Sequence, residues 1–398
     1  MAPTRAPIFD IQERTDSLPA DHSESSYAFL NRVAGEFWEQ PRDLVQAWAD
    51  HVTYPADYSE LRARFRSRDD YQFRSAFLEL YLHEVLIRAG YAVTIHPEIP
   101  GTTRRPDFLA RRDETAVYIE AIAPGAPDAQ RRAASRRDVF FDTVNRVGDT
   151  NCVLMLDELR EGVTPPAAAK LRAELRRWLT SLDPDDMTDL EHAPTFQWEQ
   201  DGWAASFRAI PKAQHARRPA RRGDRAIGVY GHTSAQMVDD APTIRDALKA
   251  KYRDYGDLDA PFIIAVGLYI FDSNRHHRSN ALYGDEAIQW GETASGEIVT
   301  RAVRHPNGFF GARPDWEHRQ VSGVLTVNQL QPYSVLGAET TLWRHPNPGH
   351  ALPADIGLPG DTVDLAANRL ESTPSSVSTA DLFELPTAWP LGEPWPGE

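Results

Sequence analysis

Residues 73–90 (FRSAFLELYLHEVLIRAG), 91–110 (YAVTIHPEIPGTTRRPDFLA) and 111–124 (RRDETAVYIEAIAP) decide the fold. In the first piece Phe73, Phe77, Leu80, Glu84 and Ile87 recur at helical spacing, flanked by Leu78, Leu82, Val85 and Leu86, and Gly90 supplies a stop. Residues 91–95 then alternate like a half-buried strand. Two short apolar runs follow, 108–110 and 116–120, separated by the turn-like residues 112–115. One helix and three antiparallel strands are expected.

Register carries the chemistry. A hairpin centred between Asp113 and Glu114 sets Asp107 directly across from Glu120, with Cβ atoms roughly 4.5–5.5 Å apart. Two carboxylates that close repel unless a cation or a proton lies between them. Oxygen ligands of this kind suit Mg²⁺, which takes one or two carboxylates and keeps several waters. Glu120 ends a strand whose neighbours are Val117, Tyr118 and Ile119, which argues against a solvated surface acid.

The order of a helix carrying Glu79, then Pro106-Asp107, then Glu120 two strands on resembles the core of the PD-(D/E)XK nuclease superfamily, which includes many restriction and repair endonucleases. The resemblance implies a restriction-endonuclease-like core, a mixed sheet flanked by helices, and Mg²⁺-dependent (or Mn²⁺-dependent) hydrolysis of nucleic acid, DNA favoured. Asp107 and Glu120 would bind the metal, and Glu79, or Glu84, would be the assisting acid of the helix. The superfamily's lysine, two residues after the Glu, is replaced by Ile122. Gln130, Lys249 and Lys251 are the candidates to supply it from elsewhere, and Lys251 is taken as the fourth catalytic residue. The motif is short and covers about 55 residues.

Composition sets the limits around that site. The chain has 398 residues, enough for one large elaborated domain or two. A net charge of −15 excludes a globally basic nucleic-acid coat. Local charge still permits a groove: Arg104 and Arg105 precede the Pro-Asp, Arg111 and Arg112 follow it, and Arg131, Arg132, Arg136 and Arg137 open the next helix. Guanidinium groups around a metal site are what phosphate recognition requires, and Arg104, Arg105, Arg131 and Arg132 are the expected contacts. The run 212–225 carries one Lys and five Arg against one Asp, which suits either a loop near a phosphate backbone or a solvated linker. The single cysteine, Cys152, fits a reducing compartment. No run approaches the ~20 apolar residues of a membrane span, and no signal region opens the chain, so a cytoplasmic protein is expected.

Along the chain, residues 1–24 are expected to lack order, and 25–72 to form a helical N-terminal segment with a break at Pro41. The α/β core is expected over 73–271. It includes buried strands at 151–156 and 260–271, the latter completing the sheet, and a hairpin turning at Asp201-Gly202. Residues 272–371 read as a C-terminal elaboration and 372–398 as a Pro-rich tail dispensable for folding. Two other function classes compete. A nuclease fold that has lost catalysis and serves as a binding or scaffolding module explains the missing lysine. A glycoside hydrolase using the same carboxylates as acid and base lacks any recognisable sugar platform. The residues 274–280, with paired histidines, lack the spaced partners of a metal or His-Asn element and read as a polar loop.

Overall fold

The chain was analysed as a computed structural model that describes every residue except 1–4, 126–127, 149–150, 188, 190, 218–222, 231–238, 253–254, 257, 293–294, 296–297, 367–368 and 396–398. It divides into two compact units, one of Met1–Thr15, Ser26–Gly125 and Val238–Glu398, the other of Asp16–Ser25 and Ala126–Met237.

Four helices come first: α1 (Ser26–Arg32), α2 (Glu36–Asp50), α3 (Pro55–Phe65) and α4 (Asp70–Arg88). The strands β1 (Ala92–Ile95), β2 (Phe108–Arg112) and β3 (Thr115–Ile122) follow, antiparallel in succession as the sequence predicts. The second unit holds α5 (Asp128–Asn145), β4 (Cys152–Arg160), α6 (Ala168–Thr180), β5 (Thr195–Gln200), β6 (Trp203–Pro211) and β7 (Ile227–Tyr230). The chain re-enters the first unit with α7 (Ala241–Lys251), β8 (Phe262–Leu268), α8 (His276–Tyr283), β9 (Glu286–Glu292) and β10 (Ile298–Arg304). It ends with β11 (Gly323–Asn328), β12 (Glu339–Arg344), β13 (Asp361–Ala366), β14 (Arg369–Thr373) and α9 (Thr379–Phe383).

The first unit is a mixed eight-stranded sheet, ordered β1-β2-β3-β8-β11-β12-β13-β14, flanked by helices. Its middle, β3-β8-β11, is parallel. Parallel neighbours need a crossover, and α7 is the helix that brings the chain back from β3 to β8. All residues of β8 and β11 are buried, as continuous apolar runs covered on both faces require. The two faces have different owners. Phe262, Ile264, Val266 and Leu268 of β8 share one core with Ile244 and Leu248 of α7. On the opposite face a Cβ added at Gly267 would meet Leu78 of α4 at 3.0 Å, so glycine there permits the close approach of α4. Asp69 caps α4 by accepting from the Tyr71 N–H at 3.0 Å, and the positive φ of Gly90 ends it.

Several sequence expectations change. The sheet does not end with β8. Four strands from the presumed elaboration extend it, because β11 is as apolar as β8 and needs the same two-sided cover. The strand at 151–156 leaves that sheet and forms β4 of a separate sheet, β5-β6-β4-β7, whose core joins Leu154 and Leu156 to Phe140, Leu171, Trp203 and Phe207. The β5–β6 hairpin does turn at Asp201-Gly202, both with positive φ. The helical break falls at Gly35 (φ 116°), a conformation that suits glycine, and Pro41 lies inside α2.

The chain ends are also more ordered than composition suggests. Ile8 and Phe9 are buried, and Gln46 accepts from the Ile8 N–H at 2.9 Å. In the Pro-rich tail Phe383 packs on Trp48 (centroids 4.7 Å apart), and Trp395 lies 5.3 Å from Trp38. Residues 274–280 are not a plain polar loop: Asp272 accepts from the His277 and Arg278 N–H groups that open α8, and Arg278 is buried against it. No helix among the described residues is long and apolar enough to cross a membrane.

Candidate active site

The β2–β3 register pairs Phe108 with Ile119 and Arg112 with Thr115. Continued by one residue, it sets Asp107 opposite Glu120, as the sequence predicts. The β1–β2 register, pairing Ile95 with Phe108, sets His96 opposite Asp107 on the other side. His96 follows the last residue of β1, Asp107 precedes the first of β2, and Glu120 lies within β3. The Ala121 N–H donates to Asp107 Oδ2 at 2.7 Å, and the His96 N–H donates to the Asp107 carbonyl at 2.9 Å. His96 Nε2 lies 3.8 Å from Asp107 Oδ1.

Glu120 lies between Tyr118 and Ile122 on the face covered by α7. The buried stripe of that helix is Ala241, Ile244 and Leu248. Lys251, three residues further and the last of α7, and Tyr255, beyond the helix, both meet Glu120. Lys251 Nζ is 2.9 Å from Oε1, and the Tyr255 hydroxyl donates to Oε2 at 2.5 Å. Ile122 belongs to the same core as Ile244 and Leu248. An apolar residue at the motif's lysine position thus anchors the helix that carries a lysine to the same carboxylate. Lys249 is exposed on another side of α7, and Gln130 is exposed on α5 in the second unit.

Glu79, expected as the assisting acid of the helix, is engaged by an arginine. It sits on α4, which covers the opposite face of the sheet, and Arg64 of α3 holds both its oxygens at 2.5 and 2.6 Å. It still bears on Asp107. Burial, then the charges of Glu120 and Glu79, push the Asp107 carboxyl up to about 8, against smaller lowering by the Ala121 N–H and Arg64. A cavity of about 40 Å³, room for roughly two or three waters, adjoins Asp107 and is lined by Leu61, Arg64, Glu79, His83, His96 and Phe108 among others. The alternative helix acid, Glu84, is fully buried and holds His51 and Arg88, each at 2.6 Å, so it is a structural anchor.

The expected arginines divide. Arg104 and Arg105 are exposed in the loop leading into Asp107, with Arg105 2.7 Å from Glu98. Arg112 is structural: it donates to the Ala89 carbonyl at 2.8 Å and covers the Tyr91 ring. Arg131 and Arg132 are exposed on α5, in the second unit, where Arg131 pairs with Asp128. Arg136 and Arg137 of the same helix meet Gly162 and Glu161. In the basic run, Arg217 pairs with Asp185 at 2.5 Å; its centre, 218–222, lies outside the described residues.

Among the described residues no cluster of three or more His, Cys, Asp or Glu side chains is arranged to hold a metal ion. Asp107 and Glu120 are a two-carboxylate site, and the donor set fits an ion that completes its sphere with water, as Mg²⁺ does.

Arg64, His96 and Tyr255 were not singled out from sequence. His96 was within reach of the register argument, and Tyr255 lies four residues after Lys251 in the chain. Nothing local connects Arg64 to Glu79. The chain matches no family model, no curated protein and no solved structure.

Proposed function

We propose that this chain hydrolyses phosphodiester bonds in nucleic acid, DNA favoured over RNA, with a PD-(D/E)XK-like site in which Lys251 takes the place of the motif's lysine. The observation that carries the reading is Lys251 Nζ at 2.9 Å from Glu120 Oε1, with Asp107 across the hairpin from Glu120. Asp107 and Glu120 would hold Mg²⁺ or Mn²⁺. When bound, the ion polarises the phosphate and lowers the pKa of a coordinated water. The Lys251 ammonium, standing beside Glu120, would orient the attacking water and offset charge gathering on the phosphate. The water oxygen bonds to phosphorus, the ester oxygen on the far side leaves, and the proton lost by the water ends on that leaving oxygen. Arg104 and Arg105, exposed beside Asp107, are suited to backbone phosphates.

A second reading has its own support. Lys251 and Tyr255 satisfy both Glu120 oxygens, and Arg64 satisfies Glu79, so the site is stable as an inactive nuclease fold that serves for binding. One assay separates the two: cleavage of plasmid and single-stranded DNA with Mg²⁺ or Mn²⁺ by wild type, Asp107→Ala, Glu120→Ala and Lys251→Ala. The enzyme reading expects cleavage lost at least 100-fold in all three variants. Equal background cleavage by wild type and variants leaves the binding module.

A further inference from the structure

This inference rests on the nuclease reading and concerns how its carboxylate pair is loaded. The Glu120 side chain is 5% exposed, and its two oxygens are engaged by residues four positions apart in the chain, Lys251 and Tyr255. These clamps differ in their freedom. Tyr255 is buried, with its ring edge-on to Phe262 at 5.6 Å. Lys251 is the last residue of α7, and its side chain is 42% exposed. Its flexible four-carbon stem carries a compact charge that can exchange one anion for another.

A cation coordinated to Glu120 Oε1 at ~2.0–2.1 Å would compete with an ammonium 2.9 Å from the same atom. The two carry like charge. At rest, then, the lysine opposes the ion. The anion suited to remove it is the one the site is proposed to act on: a backbone phosphate, delivered to the exposed side of Lys251. Once the ammonium turns to phosphate, Oε1 is released while the Tyr255 hydroxyl keeps the Glu120 carboxylate in place.

We propose that Lys251 is a latch that keeps divalent cations off Glu120 until a nucleic-acid phosphate draws its ammonium away. Metal loading and nucleic-acid binding are thereby coupled. Coupling of this kind is reciprocal, so metal tightens nucleic acid by the same factor that nucleic acid tightens metal. A free ion without substrate then meets a closed site.

The test is calorimetric titration of Mn²⁺ into the full-length chain, alone and with a saturating phosphorothioate DNA duplex, corrected for Mn²⁺ taken up by the DNA itself. Phosphorothioate linkages keep the backbone charge and slow cleavage. For wild type the Mn²⁺ dissociation constant should fall at least ~10-fold when DNA is present. Lys251→Met should bind Mn²⁺ at least ~10-fold more tightly than wild type without DNA, and gain little more when DNA is added. Circular dichroism checks that the variant is folded, and Lys251→Gln serves if it is not. Mn²⁺ binding that is lost in Glu120→Gln but equal in wild type and Lys251→Met, with or without DNA, overturns the latch and leaves the metal site standing. Mn²⁺ binding unaffected by both Asp107→Asn and Glu120→Gln overturns the metal site and the latch together.

Discussion

Replacing Asp107 by Asn should stabilise the metal-free protein while abolishing cleavage. Burial and the charges of Glu120 and Glu79 lift the Asp107 carboxyl to about 8, against 3.8 for the free group. The sign follows from where the protons sit. Above about pH 4 the unfolded chain releases this proton, whereas the folded chain keeps it until about pH 8. Stability from Asp107 is therefore complete below 3.8 and is lost as pH rises towards 8. At pH 7 the cost is about 4 kcal/mol as an upper figure, at 1.36 kcal/mol per pKa unit over the 3.8-to-7 interval. Asn has no charge to bury, and its carbonyl oxygen still accepts from the Ala121 N–H. Unfolding a first unit of about 280 residues carries an entropy of ~0.6 kcal/mol/K, so a gain of ~3 kcal/mol raises Tm by about 5 °C. Thermal melts in EDTA at pH 4, 6 and 8 should show the variant's advantage growing from near zero to its maximum. Adding saturating Mg²⁺ to protein already saturated with the phosphorothioate duplex should raise the Tm of wild type further and leave the variant unmoved, since only wild type gains the ion as a ligand in the folded state. A variant less stable than wild type at pH 8, or an advantage flat with pH, would refute this account of the carboxylate pair.

Three further outcomes follow from the packing. Tyr255→Phe keeps the ring against Phe262 but removes the donor to a buried carboxylate, and should lower the urea-derived stability by about 1.5–3 kcal/mol; no change would mean that Glu120 does not depend on that hydroxyl. Phe383→Ala empties a buried site between Trp48 and Tyr81 and should cost about 3–5 kcal/mol, contrary to a dispensable tail; a Tm within 1 °C of wild type would restore that view. Burial lowers His83 and His345 to about 4, so both stay neutral in the folded protein while the unfolded chain protonates them below about 6.5. In an Asp107→Asn background, stability should fall as pH drops from about 6.5 to 4, by roughly 3 kcal/mol for each histidine, and His83→Asn should remove about half of that fall in urea titrations.

The sequence alone determined what short-range physics controls. The α4 periodicity, its stop at Gly90, the three antiparallel strands and the hairpin register all follow from residues within a few positions of one another. That register is enough to bring Asp107 and Glu120 together. Lys251 itself had a local trace, since it lies three residues beyond Leu248 on the helix that carries Ile244. The stripe fixes which face of α7 is buried but not which strand that face covers, and so it did not identify Glu120 as the partner.

Tertiary structure decided the rest. An apolar run is the same in sequence whether it pairs with one sheet or another, so nothing in residues 152–160 shows that this strand belongs with β6. Likewise β11 joins β8 across more than fifty intervening residues. The roles of the acids were also settled at long range. Glu79 and Glu84 lie five residues apart on one helix, and only the placement of Arg64 and His51 from other parts of the chain makes one a neighbour of Asp107 and the other a buried anchor. A carboxylate's function depends on which charges surround it, and those charges come from parts of the chain that only folding brings together.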